Sequence, residues 1–414
     1  MMFMKKILHS FRRSISAMSF VWSRELRTAL RDEAVLIFIV IVPLGYPLLY
    51  SFIYNNEVAH DVPVAVIDGS GTSLSRKYIR LCDATENVRV ASRCADFEEA
   101  RELMRRHKVY GVVHIPRDFS SNLNQGRQTH VTAFCDASSL LYYKAISLAT
   151  INVSLEMNAD IKLRRARNIT ARQDEITSAP LRYEEVNIFN PATGMATFLL
   201  PAVLMMILQQ TMMLGIGVTA GTMKERHTFR LYRPFAPGFA GAATITAARA
   251  LIYVAVYAVI SMYVLGMVPL MFRFTHIGHF TDIALFMLPY LTAVAFFSIT
   301  FSYFIRTRES CMLLIVYLSL IFLFVSGISW PGSAVPPFWK YMSYLIPSTF
   351  GINGFVKLNS EGARLFQVAL EYRALWLQAI FYFVTACVVT HYDIKADCRS
   401  FVRAKGQCGN ACGE

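Results

Sequence analysis

Apolar runs set the organisation of this chain. Six of them, at 34–54, about 195–221, about 249–271, about 282–305, from 311 to about 329, and 374–392, are separated by polar segments. Each is long enough, or nearly so, to cross a hydrocarbon core of about 30 Å at about 1.5 Å per helical residue. The first, AVLIFIVIVPLGYPLLYSFIY, has no charge, and Pro43 and Pro47 predict a bend within it. Ahead of it Ile15, Met18, Trp22, Leu26 and Ala29 recur at helical spacing among Lys5, Lys6, Arg12, Arg13, Arg24, Arg27 and Arg31. That pattern predicts an amphipathic helix over 1–33, lying on the inner membrane surface with its basic face toward anionic head groups. A cleaved signal would have a shorter apolar core nearer the start, so 34–54 reads as a permanent span with its N-terminus inside.

Between the first two spans, 55–191, the period changes to two. VPVAVID (62–68), NVRVAS (87–92), YGVVHIP (110–116) and HVTAFCD (130–136) read as strands. SLSRKYIRLC, DFEEARELMRRH and RDFSSNLN between them read as helices, and a long helical segment, Leu140 to Ser178, leads back to the membrane. This reads as a small α/β or α+β domain inserted into an α-helical integral membrane protein, and a first span that leaves the cytoplasm predicts that it is extracytoplasmic. The turn Asp68-Gly69-Ser70-Gly71 follows a strand as a phosphate cradle would, but without GxxxxGK[ST] spacing it reads as a turn before a helix cap at Ser73 or Ser75. No such loop occurs anywhere in the chain, so any ATP must be held by another subunit.

The remainder of the transmembrane domain, 192–392, begins with ATFLLPAVLMMILQQTMMLGIGVTAG and ends that span in the charged segment TMKERHTFRLYR, within 222–235. Gln209 and Gln210 fall at mid-span, where amides either bond to a neighbouring helix or line a pathway; Gly217 and Gly221 allow close helix approach. The prolines and aromatics of 330–371, among them Trp330, Pro331, Pro336, Pro337 and Pro347, suggest re-entrant or interfacial helices capping an outer mouth, or an aromatic belt that fixes depth. With six spans, the basic segments 1–33, 223–233 and 306–308 and the tail 393–414 all fall inside, as the positive-inside rule requires. The ionisable residues are read as lying outside the spans, and His391-Tyr392-Asp393 as a solvated end of the sixth.

Composition agrees: 55% of the 414 residues are hydrophobic, only 17% are charged, and the mean hydropathy is +0.40. A formal charge of +13 then follows from Lys and Arg kept on the inner side, and no basic stripe with aromatics suggests nucleic acid. The eight cysteines form no disulfide framework, although one pair among Cys82, Cys94 and Cys135 could bridge in the outer domain. Cys398, Cys408 and Cys412 have no ligand spacing, so no metal is expected and the tail reads as loose.

The phrases VPVAVIDGSGTSLSR, YGVVHIPRDFSSNL, MKERHTFRLYRPFAP and SGISWPGSAVPPFWKYMSYLIPSTFGINGF, in that order behind a basic amphipathic helix, resemble the membrane subunits of type-two ATP-binding-cassette exporters, in the subgroup with a large outer domain between the first two spans. The resemblance implies a permease subunit in the inner membrane, with both termini cytoplasmic. It is not itself an enzyme: ATP and Mg would sit on a partner ATPase, and this chain needs no cofactor. A second permease chain would complete a homodimer or heterodimer, and a periplasmic adaptor and outer-membrane channel could join it. The resemblance assigns coupling to the ATPase to Lys224, Glu225, Arg226, His227, Thr228 and Phe229, together with Trp22 on the amphipathic helix. His227 and Thr228-Phe229 stand where the family commonly continues with a second acid and a Gly-Thr pair. Pathway and outer gate fall to Gln209, Gln210, Trp330, Pro331, Pro336, Pro337 and Pro347, with the second and fifth spans as walls. The competing reading is a membrane receptor or scaffold whose outer domain binds a ligand; the short inner segments, which hold no signalling module, weigh against it.

Overall fold

The computed structural model describes residues 2–55, 58–165, 189–190, 194–235, 238–274, 276–327 and 335–411, and it divides into two compact units, 1–55 with 195–414, and 56–194.

The helical unit opens with α1 (Met2–Arg31), which stops where Asp32 turns extended and caps the next helix by accepting a hydrogen bond from the Ala34 N–H. Among the described residues six helices, by length and composition, can cross a membrane: α2 (Glu33–Ile53), α7 (Met195–Glu225), α8 (Gly238–Met271), α9 (Phe280–Phe304), α10 (Arg308–Val325) and α13 (Ala369–Ala411). Two of them widen into a π turn, Ile37–Ile41 in α2 and Tyr263–Met267 in α8. Each turn contains the residue four before a proline, Ile39 before Pro43 and Leu265 before Pro269, so the wider turn absorbs the ring that would strike that carbonyl. α7 is the central helix, with α2, α9, α10 and the short α12 (Pro347–Asn359) packed around it. Gly217 and Gly221 face the start of α10, where a Cβ at Gly221 would lie 3.0 Å from the Thr307 backbone.

The second unit is a four-stranded sheet ordered β2-β1-β3-β4, with β1 (Val62–Asp68), β2 (Val88–Cys94) and β3 (Gly111–Ile115) parallel and β4 (Thr132–Cys135) antiparallel. Side chains alternate faces along β1. Val66 packs with α3 (Ser73–Asp83), α5 (Phe119–Asn124) and α6 (Leu140–Arg165), whereas Ala65 and Ile67 pack on α4 (Phe97–Arg105). The four strands and the three short helices read between them are present within two residues of their expected ends; the long helix expected from Leu140 to Ser178 starts at Leu140, and its expected end lies outside the described residues. Cys82, Cys94 and Cys135 are free thiols that belong to three separate hydrophobic clusters.

Three expectations are corrected in the helical unit. The third span begins at Gly238, not near 249; the small residues from Gly238 to Ala248 form the first turns of α8. The sixth helix does not end near 392 in a loose tail but continues to Ala411. The fifth ends earlier than 329, at Val325, where Gly327 at φ +86° supplies the left-handed stop. In 330–371, α11 (Pro337–Ser343) and α12 each begin on a proline, which suits the first helical turn.

Candidate coupling site

The last turn of α7 and the 3-10 turn Phe229–Phe235 form an elbow, held by side chains from both ends of the helical unit's sequence. Lys224 Nζ donates to the carbonyls of Ser302 (2.7 Å) and Ile305 (3.0 Å), so a cation sits at the C-terminal end of α9. It also lies 3.5 Å from the Asp393 carboxylate. Glu225 Oε1 accepts from the Arg308 N–H (2.9 Å), placing an anion at the N-terminus of α10. The chain then reverses at His227, φ +49°, whose Nδ1 lies 2.7 Å from Asp397 Oδ1, while Asp397 Oδ2 accepts from the Arg230 N–H at 2.9 Å. Asp393 and Asp397 lie four residues apart on one face of α13 and are both buried, so the sixth helix grips the elbow twice.

α1 grips it from the other side. Glu25, 1% exposed, pairs through Oε1 with Arg249 Nε at 2.6 Å, and Arg249 is 2% exposed. The Tyr253 hydroxyl donates to Glu25 Oε2 at 3.2 Å, and the Tyr232 hydroxyl of the elbow lies 3.4 Å from Oε1. Burial raises the Tyr232 pKa, with the neighbouring carboxylate adding to the effect, so the phenol remains a donor at neutral pH. The Arg249 guanidinium lies over the Phe229 ring, Phe20 stacks on Phe235, and the Trp22 indole donates to the Ala248 carbonyl at 2.9 Å. One carboxylate on α1 thus joins the elbow to α8.

The seven residues assigned to coupling are therefore divided. Lys224 is half-buried and serves α9, Phe229 is 1% exposed, and Thr228 is half-buried with its hydroxyl on the Met223 carbonyl. Trp22 is partly exposed. Glu225, Arg226 and His227 face outward, joined by Leu231 and Arg233, and of the three only Arg226 has no side-chain partner among the described residues. Beside them an open crevice of about 460 Å³ is lined by Lys224, His227, Tyr303, Arg306, Tyr392 and Asp393.

Glu25, Arg249 and Asp397 are not among the residues that the sequence pattern singles out. The spans were read as free of paired ionisable groups, and His391-Tyr392-Asp393 as solvated; buried pairs at Arg249 and Asp393 correct both readings. Signals existed: Glu25 is the only acid in residues 1–31, and Arg249 is the only charge in 238–271. An isolated charge at such a position needs a partner.

At mid-span the amide nitrogen of buried Gln209 donates to Ser348 Oγ at 3.2 Å, next to Pro347 at the start of α12. The amide of Gln210 is buried and has no partner among the described residues. Pro336 directly precedes α11 and Pro337 opens it; Trp330 and Pro331 lie outside the described residues. Of the proposed walls, α7 is largely buried within the protomer, whereas α10 leaves Leu313, Val316, Tyr317, Leu320 and Phe324 exposed.

Six apolar helices with an elbow held by buried ion pairs define a multi-pass membrane protein. The signature of ABC-2 family transporter proteins matches residues 34–388, and the chain belongs to that family. The chain is also 21% identical over 349 residues to the linearmycin resistance permease protein LnrN of Bacillus subtilis (strain 168), an alignment that covers 78% of this chain and 87% of that one. Membership implies a transporter subunit with an ATPase partner rather than an enzyme.

Proposed function

We propose that this chain is the permease subunit of an exporter that moves a substrate outward across the inner membrane, driven by ATP hydrolysis on a separate chain. The supporting observation is the elbow. Residues 224–235 are fixed from two sides by buried acids, yet present Arg226, Leu231 and Arg233 outward. A soluble motor that pushed on this surface would move α8 and α13 with it, which is how a local contact can bias a two-state bundle. The similarity to a resistance permease supports export as the direction.

In this reading both termini and the elbow are cytoplasmic, the α/β unit is extracytoplasmic, and Mg and ATP belong to the partner. A second permease chain, the same or similar, forms the path with this one. α10 offers the exposed apolar face for that contact, and the unpartnered Gln210 amide lies at the depth where a path would run. Pro336, Pro337 and Pro347 fix the short helices of the outer gate, and a periplasmic adaptor and outer-membrane channel would engage the α/β unit.

The elbow geometry makes Arg226 the cleanest probe, because Glu225 also caps α10. Purified from mild detergent with its tag, the wild-type chain brings an ATP-hydrolysing subunit with it; Arg226→Glu loses that subunit while inserting normally. An Arg226→Glu variant that keeps its ATPase and full transport rejects the coupling surface.

A further inference from the structure

A second cavity, about 410 Å³, opens where the end of α1 meets the end of α7 and the start of α10. Arg27, Arg31, Arg226 and Arg308 line it, together with Asp32, Glu33 and Thr222. Four guanidiniums against two carboxylates leave two positive charges. Asp32 is already engaged, with Oδ1 on both Arg308 (2.9 Å) and the Ala34 N–H. Glu225, the next acid, is held by the Arg308 backbone. Arg27, Arg31 and Arg226 have no ion partner among the described residues. Thr222 is a separate, independent sign: it is 4% exposed, its Oγ1 is buried without a partner among the described residues, and it lines this cavity. A buried hydroxyl left unpaired beside unpaired guanidiniums is short of one group, an acceptor bearing negative charge.

The same turns of α1 fix the height of the site. Leu26 and Leu30, next in sequence to Arg27 and Arg31, are exposed and border an apolar groove with Leu36, Ile39, Ile252 and Val256. Apolar side chains facing outward at this level put the arginines at the boundary between acyl chains and water, where lipid phosphates lie.

We propose that this cavity binds a phosphate ester, with its anionic oxygens between Arg31 and Arg226 and on the Thr222 hydroxyl, the source being the head group of an anionic glycerophospholipid or a soluble phosphate. Guanidinium forks match phosphate oxygens in pairs, which suits this cargo better than a single carboxylate. The inference rests on the chain's being a multi-pass membrane protein and not on its use of ATP.

The test is native mass spectrometry of the full chain in detergent, titrated with dioleoylphosphatidylglycerol or dioleoylphosphatidylcholine, with and without inorganic phosphate. Phosphatidylglycerol should bind more tightly than phosphatidylcholine, and Arg31→Gln with Arg226→Gln should weaken it by at least about tenfold. Thr222→Val, which keeps the shape of the side chain and guards against a folding artefact, should weaken it measurably with an unchanged melting midpoint. Strong competition by inorganic phosphate assigns the site to a soluble phosphate; weak competition assigns it to lipid. Equal binding of the two lipids, or wild-type affinity in all variants, overturns the proposal. So does a double variant that still binds phosphatidylglycerol as the wild type does. No nucleotide enters the binding assay, so its failure leaves the exporter reading standing, and loss of the ATPase leaves this one standing.

Discussion

Glu25 and Arg249 show how much one pair of charges decides. Two ions at 1% and 2% exposure are stable only together, and removing one strands the other at a cost of about 3–5 kcal/mol. Glu25→Gln and Arg249→Met should each lower the melting midpoint sharply in detergent. The double variant should be less destabilised than the sum of the two; strict additivity would show that the pair does not interact. Cys82 tests the other unit. Burial pushes its thiol up to about 12, so at pH 8 the thiolate fraction is on the order of one in ten thousand. Maleimide should leave Cys82 unmodified in the folded chain and label it promptly in denaturant. Rapid labelling of the native protein would mean that α3 does not pack on the sheet and α6 as described.

Among the elements, the elbow behaves as a joint fixed from both sides rather than a hinge. α13 holds it through Asp393 and Asp397, and α1 through Glu25. Asp397→Asn keeps one acceptor for Arg230 but weakens the hold on the turn, by about 1–3 kcal/mol. Its expected outcome is a chain that inserts and still binds its ATPase, while hydrolysis runs without transport; intact transport would remove α13 from the coupling route. Where α7 meets α10, Gly221→Val places a branched side chain against the Thr307 backbone at 3.0 Å or less, and should destabilise by about 1–3 kcal/mol. Gly45→Ala in α2 meets nothing within 4 Å and should be nearly neutral, which makes it the control in the same melting experiment.

For the molecule as a whole, six spans and an inserted sheet follow from periodicity because both are written in local pattern. A run of AVLIFIVIV has no other stable setting, and VPVAVID alternates faces as a strand with two covered sides must. The start of α8 was hidden because Gly, Ala and Thr signal turns and helix packing alike, and only packing against α1 decides between them. The clamp was hidden for a different reason: Glu25 and Arg249 are 224 residues apart, and pairing at that distance is not a periodic signal. Lys224, Glu225 and Arg226 stood out as a charged cluster, yet which of them turn inward depends on carbonyls and N–H groups of α9 and α10. In the proposed reading, the two ion-paired sides and the outward Arg226 make the elbow the surface on which a motor would act.

That surface is tested most directly by photocrosslinking in intact membranes, with a photoreactive residue placed singly at 226, at 231, and at exposed Phe97 of the α/β unit. Adducts with an ATP-hydrolysing subunit from 226 and 231, and none from 97, are the predicted result. An ATPase adduct from 97, or repeated absence of any from the elbow while the chain remains inserted, would contradict it.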